Sequence, residues 1–138
     1  MVHALKETHR VLREGGSFID LRPATKNRLV ELDVSGTRFH IGEIDSSATF
    51  ADHWAADAAL ESLRDQGLIA PMHDAQFLVT TDLDSIEDLR AHATTLRRSV
   101  MAEELPDRIE SLIAGEDQDI LIRTRREMVI TRYRCLKP

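Results

Sequence analysis

The first twenty residues change from a helical pattern to a strand pattern across two adjacent glycines. Residues 2–13 are rich in helix-forming side chains, and Gly15 and Gly16 follow them. Glycine readily adopts the left-handed conformation that ends many helices, so the pair predicts a helix terminus. Residues 17–21 then form a short run that is stopped by Pro23, which is typical of a buried strand. A helix that passes through glycines into a buried strand is one half of an α/β unit.

The next segment predicts a hairpin and then a long helix. Residues 29–44 alternate between apolar and polar side chains on both sides of a turn that contains Gly36, and this pattern indicates a β-hairpin. From Thr49 the apolar spacing becomes helical, and Thr49 and Asp52 have the spacing of a capping box. We therefore expect a helix over residues 49–67, closed by Gly67.

The second half of the chain predicts a strand, two helices and a β-rich tail. Residues 74–80 have a strand pattern, and Ser85 with Asp88 repeats the capping-box spacing, which predicts a helix through about residue 98. Pro106 predicts the start of a helix over residues 107–114, ended by Gly115. The tail, residues 119–136, is rich in β-branched side chains, and we expect two strands that divide near residues 125–127. The fold class is therefore α/β (or α+β).

Composition limits the function more than it defines it. The 138 residues have a mass of 15.6 kDa, which fits one domain over residues 1–138. A net charge of −6 and a pI near 5.5 argue against a nucleic-acid partner, because such binders carry a basic face. No apolar run approaches the ~20 residues of a membrane span, and the N-terminus lacks a signal-peptide pattern. We therefore expect a cytoplasmic protein without a membrane partner.

The residue types that usually bind metals are scattered along the chain. None of the six histidines forms an HxxxH or HxH pair, although His53 lies four residues before Asp57 and His73 is next to Asp74. A metal site needs three or four converging ligands, so we predict none and interpret these histidines as solvated side chains near carboxylates. Cys135 is the only cysteine, which excludes an intrachain disulfide, and its position in a predicted strand favours a packed, inert thiol.

Two sets of charged residues are candidates for binding or catalysis. Carboxylates cluster near predicted element ends, where α/β folds place their sites, but helix capping accounts for those around Ser85. The tail is locally basic, and we interpret its charges as protection for an exposed sheet edge rather than as a nucleic-acid surface. The carboxylates are Glu43, Asp45, Asp52, Asp57, Asp82, Asp84 and Asp88, and the basic residues are Arg123, Arg125, Arg126, Arg132, Arg134 and Lys137.

One segment resembles a known family. Residues 4–20 contain RVLREGG followed by a strand and Asp20, and they resemble the passage into the fifth strand of class I S-adenosylmethionine-dependent methyltransferases. That family has a helix ending in a pattern like RVLxPGG, and here Glu14 stands in place of the usual proline. Val11 and Leu12 would pack the helix end against the sheet, while the glycines turn the chain into the strand.

The resemblance implies a fold, a cofactor and a missing half. It implies a partial Rossmann-like methyltransferase sheet, with strands five to seven plus an extra hairpin, flanked by helices. The family's cofactor is S-adenosylmethionine, but no counterpart of its glycine-rich cofactor loop is present, so we expect no cofactor-binding residues and no catalysis by this chain alone. If a substrate cleft persists, His53, Trp54 and Asp57 on the first long helix are the candidates to line it.

The missing fourth strand would leave residues 17–21 as an open, apolar sheet edge. Such edges pair with other chains, so we expect a homodimer or another oligomer, or a partner chain that carries the missing half. Two alternatives remain open. The chain could be a non-catalytic interaction or regulatory α/β module that forms oligomers through this edge, or an unrelated small α+β binding domain.

Overall fold

The structure is a computed structural model that describes residues 2–114 and 120–137. Three strands follow the first helix, and helices and strands alternate from there on; a short 3₁₀ turn, Ser47–Thr49, precedes the second helix. The helices are α1 (Val2–Val11), α2 (Phe50–Asp65), α3 (Ile86–Thr95) and α4 (Glu104–Ile113). The strands are β1 (Ser17–Pro23), β2 (Arg28–Val34), β3 (Thr37–Asp45), β4 (Ile69–Leu83), β5 (Val100–Met101) and β6 (Ile120–Cys135).

The six strands form one antiparallel sheet with flanking helices. The strand order is β1-β6-β2-β3-β5, and β4 also pairs with β6. β1 pairs with Met128–Arg134 of β6, whereas β2 pairs with Ile120–Arg125 of the same strand. The mixed α/β class is therefore confirmed. The sheet differs from the mostly parallel sheet of a doubly wound fold, in which crossover helices connect neighbouring parallel strands.

The first of two compact units contains the helix-to-strand passage. It comprises the chain up to Ala24, Phe50–Phe77 and the chain from Met128 onward. Its apolar core is centred on Leu60, Leu63 and Ile69, and the rings of Phe18 and Tyr133 stack beside it with centroids 5.1 Å apart. The expected strand at residues 17–21 is confirmed, but the prediction that it is buried was wrong, because its side chains are exposed or half-buried. Phe18 is half-buried and packs against the apolar core of this unit.

The second compact unit contains the hairpin and the two later helices. It comprises Thr25–Thr49 and Leu78–Glu127. The core is formed by one face of the sheet and the apolar faces of α3 and α4. Its buried members are Val30, Leu32, Ile41, Ile44, Leu83, Ile86, Leu89, Leu105, Ile109 and Ile122. The expectation that residues 1–138 form one domain stays a prediction.

Three local predictions are confirmed by backbone geometry. Gly15 has a φ of +71°, and its N–H donates to the carbonyl of Cys135 at 3.0 Å, which ties the glycine turn to β6. The hairpin turn uses Ser35 and Gly36 with φ values of 49° and 86°, as a two-residue turn between twisted strands requires. Ser85 caps α3, because its Oγ accepts from the Asp88 N–H at 3.0 Å.

Several predicted boundaries were wrong. α1 ends at Val11 rather than at residue 13, and β4 begins at Ile69, so Pro71 lies inside a strand. α3 ends at Thr95 instead of residue 98, and α4 begins at Glu104 and therefore includes Pro106 in its first turn, where proline is tolerated. Thr49 lies in the 3₁₀ turn before α2, and its hydroxyl donates to the Ser46 carbonyl. Gly115 and Asp119 lie outside the described residues.

The tail is one strand rather than two. β6 is continuous from Ile120 to Cys135, and what changes near the predicted division is its partner. The register passes from β2, which ends its pairing at Arg125, to β1, which begins at Met128. The sequence pattern therefore marked a change of neighbour and not a break in the backbone.

Candidate functional site

A polar cluster in the first unit is centred on Arg22 of β1. Arg22 and Asp20 are two residues apart, so they lie on the same face of the strand. Arg22 Nε donates to Asp20 Oδ2 at 2.9 Å, and Nη2 donates to Asp57 Oδ1 of α2 at 2.6 Å. The remaining arm, Nη1, donates to the backbone carbonyl of His53 at 2.9 Å. One guanidinium on β1 thus bonds to two acceptors on α2 and to a third, Asp20, on its own strand.

The carboxylates of this cluster stabilise the charged form of Arg22. Burial lowers the pKa of Arg22, but hydrogen bonds to Asp57 and Asp20 outweigh it and leave the pKa above its usual value. Tyr133 of β6 belongs to the same cluster. Burial raises the pKa of Tyr133, and the nearby Asp20 carboxylate raises it further, against the opposing charge of Arg22. Tyr133 is therefore a neutral phenol near pH 7, able to donate a hydrogen bond.

A cleft of about 240 Å³ opens beside this cluster. Two carboxylates, a guanidinium and the Tyr133 phenol line it together with two apolar side chains, so it offers hydrogen-bond donors and acceptors to a small polar molecule. Arg64 at its rim is already paired with Glu61 at 3.1 Å. The lining residues are Asp57, Leu60, Glu61, Arg64, Pro71 and Tyr133. Cysteine, serine and threonine are absent from this lining.

The structure separates the three residues that the sequence analysis proposed for a substrate cleft. Asp57 lines the cleft and bonds to Arg22. His53 contributes its backbone carbonyl to Arg22, and its side chain is half-buried. Trp54 is exposed and lies edge-on to Phe50, with ring centroids 6.2 Å apart. Their role in substrate binding stays a prediction.

Sequence reasoning missed Asp20, Arg22 and Tyr133. The available signal was the spacing of Phe18, Asp20 and Arg22, which puts both charges on the face of β1 that carries the half-buried Phe18. Tyr133 is the single tyrosine of the chain, and its partner Phe18 is 115 residues away in sequence. No local pattern could pair residues at that separation.

A second cleft of about 390 Å³ lies in the other unit, between the hairpin and α4. Its lining is mostly apolar, with His40 and Arg108 as the polar members. The lining residues are Leu32, Val34, Phe39, His40, Ile41, Arg108 and Leu112. Because it has only two polar lining residues, this cleft offers few groups for catalysis or for polar recognition.

The scattered candidates for metal binding stay apart. His73 and Asp74 are exposed in β4, and residues 2–114 and 120–137 contain no group of three potential ligands of His, Cys, Asp or Glu type. Cys135 is fully buried, and its Sγ lies 3.9 Å from the His9 carbonyl, as expected for a packed thiol. Within the same described ranges, no helix is long and apolar enough to cross a membrane.

The carboxylates near element ends have structural partners. Asp82 accepts from Arg123, and Glu43 accepts from Asn27 at 2.9 Å. The Asp45 carboxylate accepts from the Ser47 N–H at 2.8 Å, and hydrogen bonds from Ser47 lower its pKa. These contacts account for three of the predicted acidic candidates without catalysis.

The interpretation of the basic tail as a guarded sheet edge was wrong. β6 is an interior strand that pairs with β1, β2 and β4. Arg123 bonds to Asp82 and Asp33, and Arg125 Nη1 donates to Glu31 Oε1 at 2.8 Å. These arginines neutralise acidic residues of neighbouring strands, whereas Arg126 points to the other face of the sheet.

No family model, curated protein or solved structure matches the chain. The resemblance of residues 4–20 to class I methyltransferases therefore stays a prediction.

Proposed function

We propose that these residues form the C-terminal half of a class I S-adenosylmethionine-dependent methyltransferase-type domain and do not bind the cofactor by themselves. The observation that carries the proposal is the RVLREGG passage, in which α1 turns at Gly15 into β1. β1, β4 and β6 would take the places of strands five to seven, and β2 with β3 would be the extra hairpin. The antiparallel pairing does not favour this assignment, so the passage is its main support.

The cleft beside Arg22 is the place where a methyl acceptor would bind in this proposal. Tyr133 supplies a hydrogen-bond donor and Asp57 an acceptor, and Arg22 fixes Asp57 in position. Such a cleft can orient a small polar molecule, but the donor of the methyl group would have to come from another polypeptide segment. The chain would therefore act as the acceptor side of a two-part enzyme.

Calorimetry with S-adenosylmethionine tests this proposal. We expect no heat of binding from the isolated chain, and binding once the product of the adjacent reading frame is added. Submillimolar binding by the isolated chain would show that a cofactor site is present in these residues. Absence of cofactor binding after that product is added would also contradict the proposal.

A second candidate function, an interaction module that forms oligomers through β1, is favoured by one observation. Ile19 and Leu21 lie on β1 and are 62% and 52% exposed. β1 ends the strand order, and within the described part of the chain it pairs only with β6. A terminal strand with two exposed large apolar side chains fits association with a second copy of the chain.

Sedimentation at micromolar concentration tests the second candidate. We expect a dimer, and we expect Ile19→Lys together with Leu21→Lys to convert it to a monomer of 15.6 kDa. Leu112→Lys is a matched control, because Leu112 is an equally exposed leucine on α4. If the unmodified chain sediments only as a monomer, association through β1 is refuted.

A further inference from the structure

Two arginines lie side by side on the helix-covered face of the sheet in the second unit. The β2–β6 ladder pairs Val30 with Thr124 and Leu29 with Arg125, so Arg28 and Arg126 come next in the register. Arg126 is only 7% exposed, and it shares its face of β6 with the buried Thr124. Like charges opposite each other on neighbouring strands destabilise a sheet unless something compensates them.

The groups around this pair are hydroxyls and an imidazole. Arg126 Nη1 donates to Ser46 Oγ at 2.6 Å, and Ser46 Oγ lies 3.1 Å from Ser99 Oγ. Thr124 Oγ1 accepts from Arg28 Nη1 at 3.4 Å. The Nε2 atom of His92 on α3 lies 3.4 Å from the same Thr124 Oγ1. These four neighbours provide no negative charge.

The guanidinium groups are only partly satisfied. The Nε atoms of both Arg28 and Arg126 are buried without a hydrogen-bond partner. Burial lowers the pKa of each, and the charge of Arg126 lowers the pKa of Arg28 further. Within the described ranges, neither forms an ion pair with a carboxylate, although Arg123 and Arg125 on the same strand both do. A buried cation that lacks a counter-ion is costly, so the geometry calls for an anion.

We propose that Arg28, Arg126 and His92, with the hydroxyls of Ser46, Ser99 and Thr124, bind a phosphate group. Two guanidinium groups carry a charge of about +2, which matches the −1.5 to −2 of a phosphate near pH 7 and exceeds that of a carboxylate. The unpaired Nε atoms and the hydroxyls supply more donors than a planar carboxylate can use. Arg28 and His92 are partly exposed, which leaves a side from which the anion can approach.

The phosphate group has two possible sources, free inorganic phosphate or the phosphoryl group of a small phosphomonoester. Thermal unfolding of the full chain is measured with inorganic phosphate, glycerol phosphate, acetate and chloride, all at one ionic strength. With a Kd of about 1 mM, about 10 mM ligand raises the folded-to-unfolded ratio about elevenfold, or about 5 °C in Tm for this chain length. A shift with inorganic phosphate assigns the free ion, and a larger shift with glycerol phosphate assigns the monoester.

An equal shift with chloride or acetate, or no shift at all, would overturn the proposal. A chloride effect of equal size would show general screening, and the absence of any shift would show that water alone satisfies the two Nε atoms. A second readout is the NMR titration of His92. Burial and then the charge of Arg28 lower the pKa of His92, and we expect phosphate to raise this pKa, because a bound anion opposes the charge of Arg28.

Variants locate the effect at the cluster. Arg126→Met should abolish the phosphate-dependent shift, and without phosphate it should fold at least as stably as the unmodified chain, because a buried charge without a counter-ion is removed. Arg134→Met makes the same charge change at an exposed position of β6 and should keep the full shift. If Arg126→Met does not fold, Ser46→Ala serves instead and should weaken phosphate binding severalfold. A shift of undiminished size in either cluster variant would refute the site.

Discussion

Replacement of Arg22 by Met tests whether one guanidinium holds β1 to α2. The pair with Asp57 contributes only about 0.5 kcal/mol, because the Asp57 side chain is 61% exposed and solvent weakens such pairs. The bond to the His53 carbonyl contributes about 1 kcal/mol. Asp20, only 21% exposed, would be left without its cation at a further cost of about 1 kcal/mol. Together these contacts indicate a loss of about 2.5 kcal/mol in the free energy of unfolding.

Urea unfolding followed by the fluorescence of Trp54, the single tryptophan, measures this loss. Arg10→Met is the matched control, because Arg10 forms an exposed pair with Glu7 whose loss should cost under about 0.5 kcal/mol. Asp57→Asn should also cost about 0.5 kcal/mol, well below Arg22→Met. If Asp57→Asn is as destabilising as Arg22→Met, or if Arg22→Met loses no more stability than the control, the three contacts of Arg22 do not add up to the expected loss.

Three further predictions concern single groups. The tyrosinate absorbance of Tyr133, the only tyrosine, should titrate above pH 10.0, and Asp20→Asn should lower that pKa; an unchanged value would contradict their proximity. Burial and the charge of Arg28 lower the pKa of His92 below 6.5 in the folded state. The free energy of unfolding should therefore decrease as the pH is lowered below 6.5, and this decrease should be smaller in His92→Gln. Equal slopes in both proteins would refute it. Ser85→Ala should cost about 1 kcal/mol in urea unfolding, and no measurable loss would show that the cap is dispensable.

Local chemistry made much of the element order predictable. The hairpin depends on Gly36 and the start of α3 on Ser85, and both are signals within a few residues of the structure that they predict. The boundaries were less predictable, because the paired strand partner and not the local pattern decides where a strand ends. β4, for example, extends through Pro71, although proline interrupts most strands.

The candidate site was less predictable than the fold. Asp57 could be singled out from its helical spacing with His53, but its actual partner Arg22 lies 35 residues earlier in the chain. Tyr133 is farther still from the strand that it stacks against. The members of this cluster come from three separate elements, so tertiary contacts bring them together. Sequence periodicity reports only local structure and does not reveal such contacts.

The alternation of side chains along β6 explains how an acidic chain can contain arginines without a counter-ion. Arg125 and Arg126 are adjacent in sequence but project from opposite faces of the strand. On one face Arg125 bonds to Glu31, whereas on the other Arg126 is buried among hydroxyls beside Arg28. A net charge of −6 describes the carboxylates of the whole chain, but a buried anion responds to the few groups within hydrogen-bond distance. An acidic protein can therefore hold a site selective for anions, because strand periodicity, and not total charge, decides which arginines lack a counter-ion.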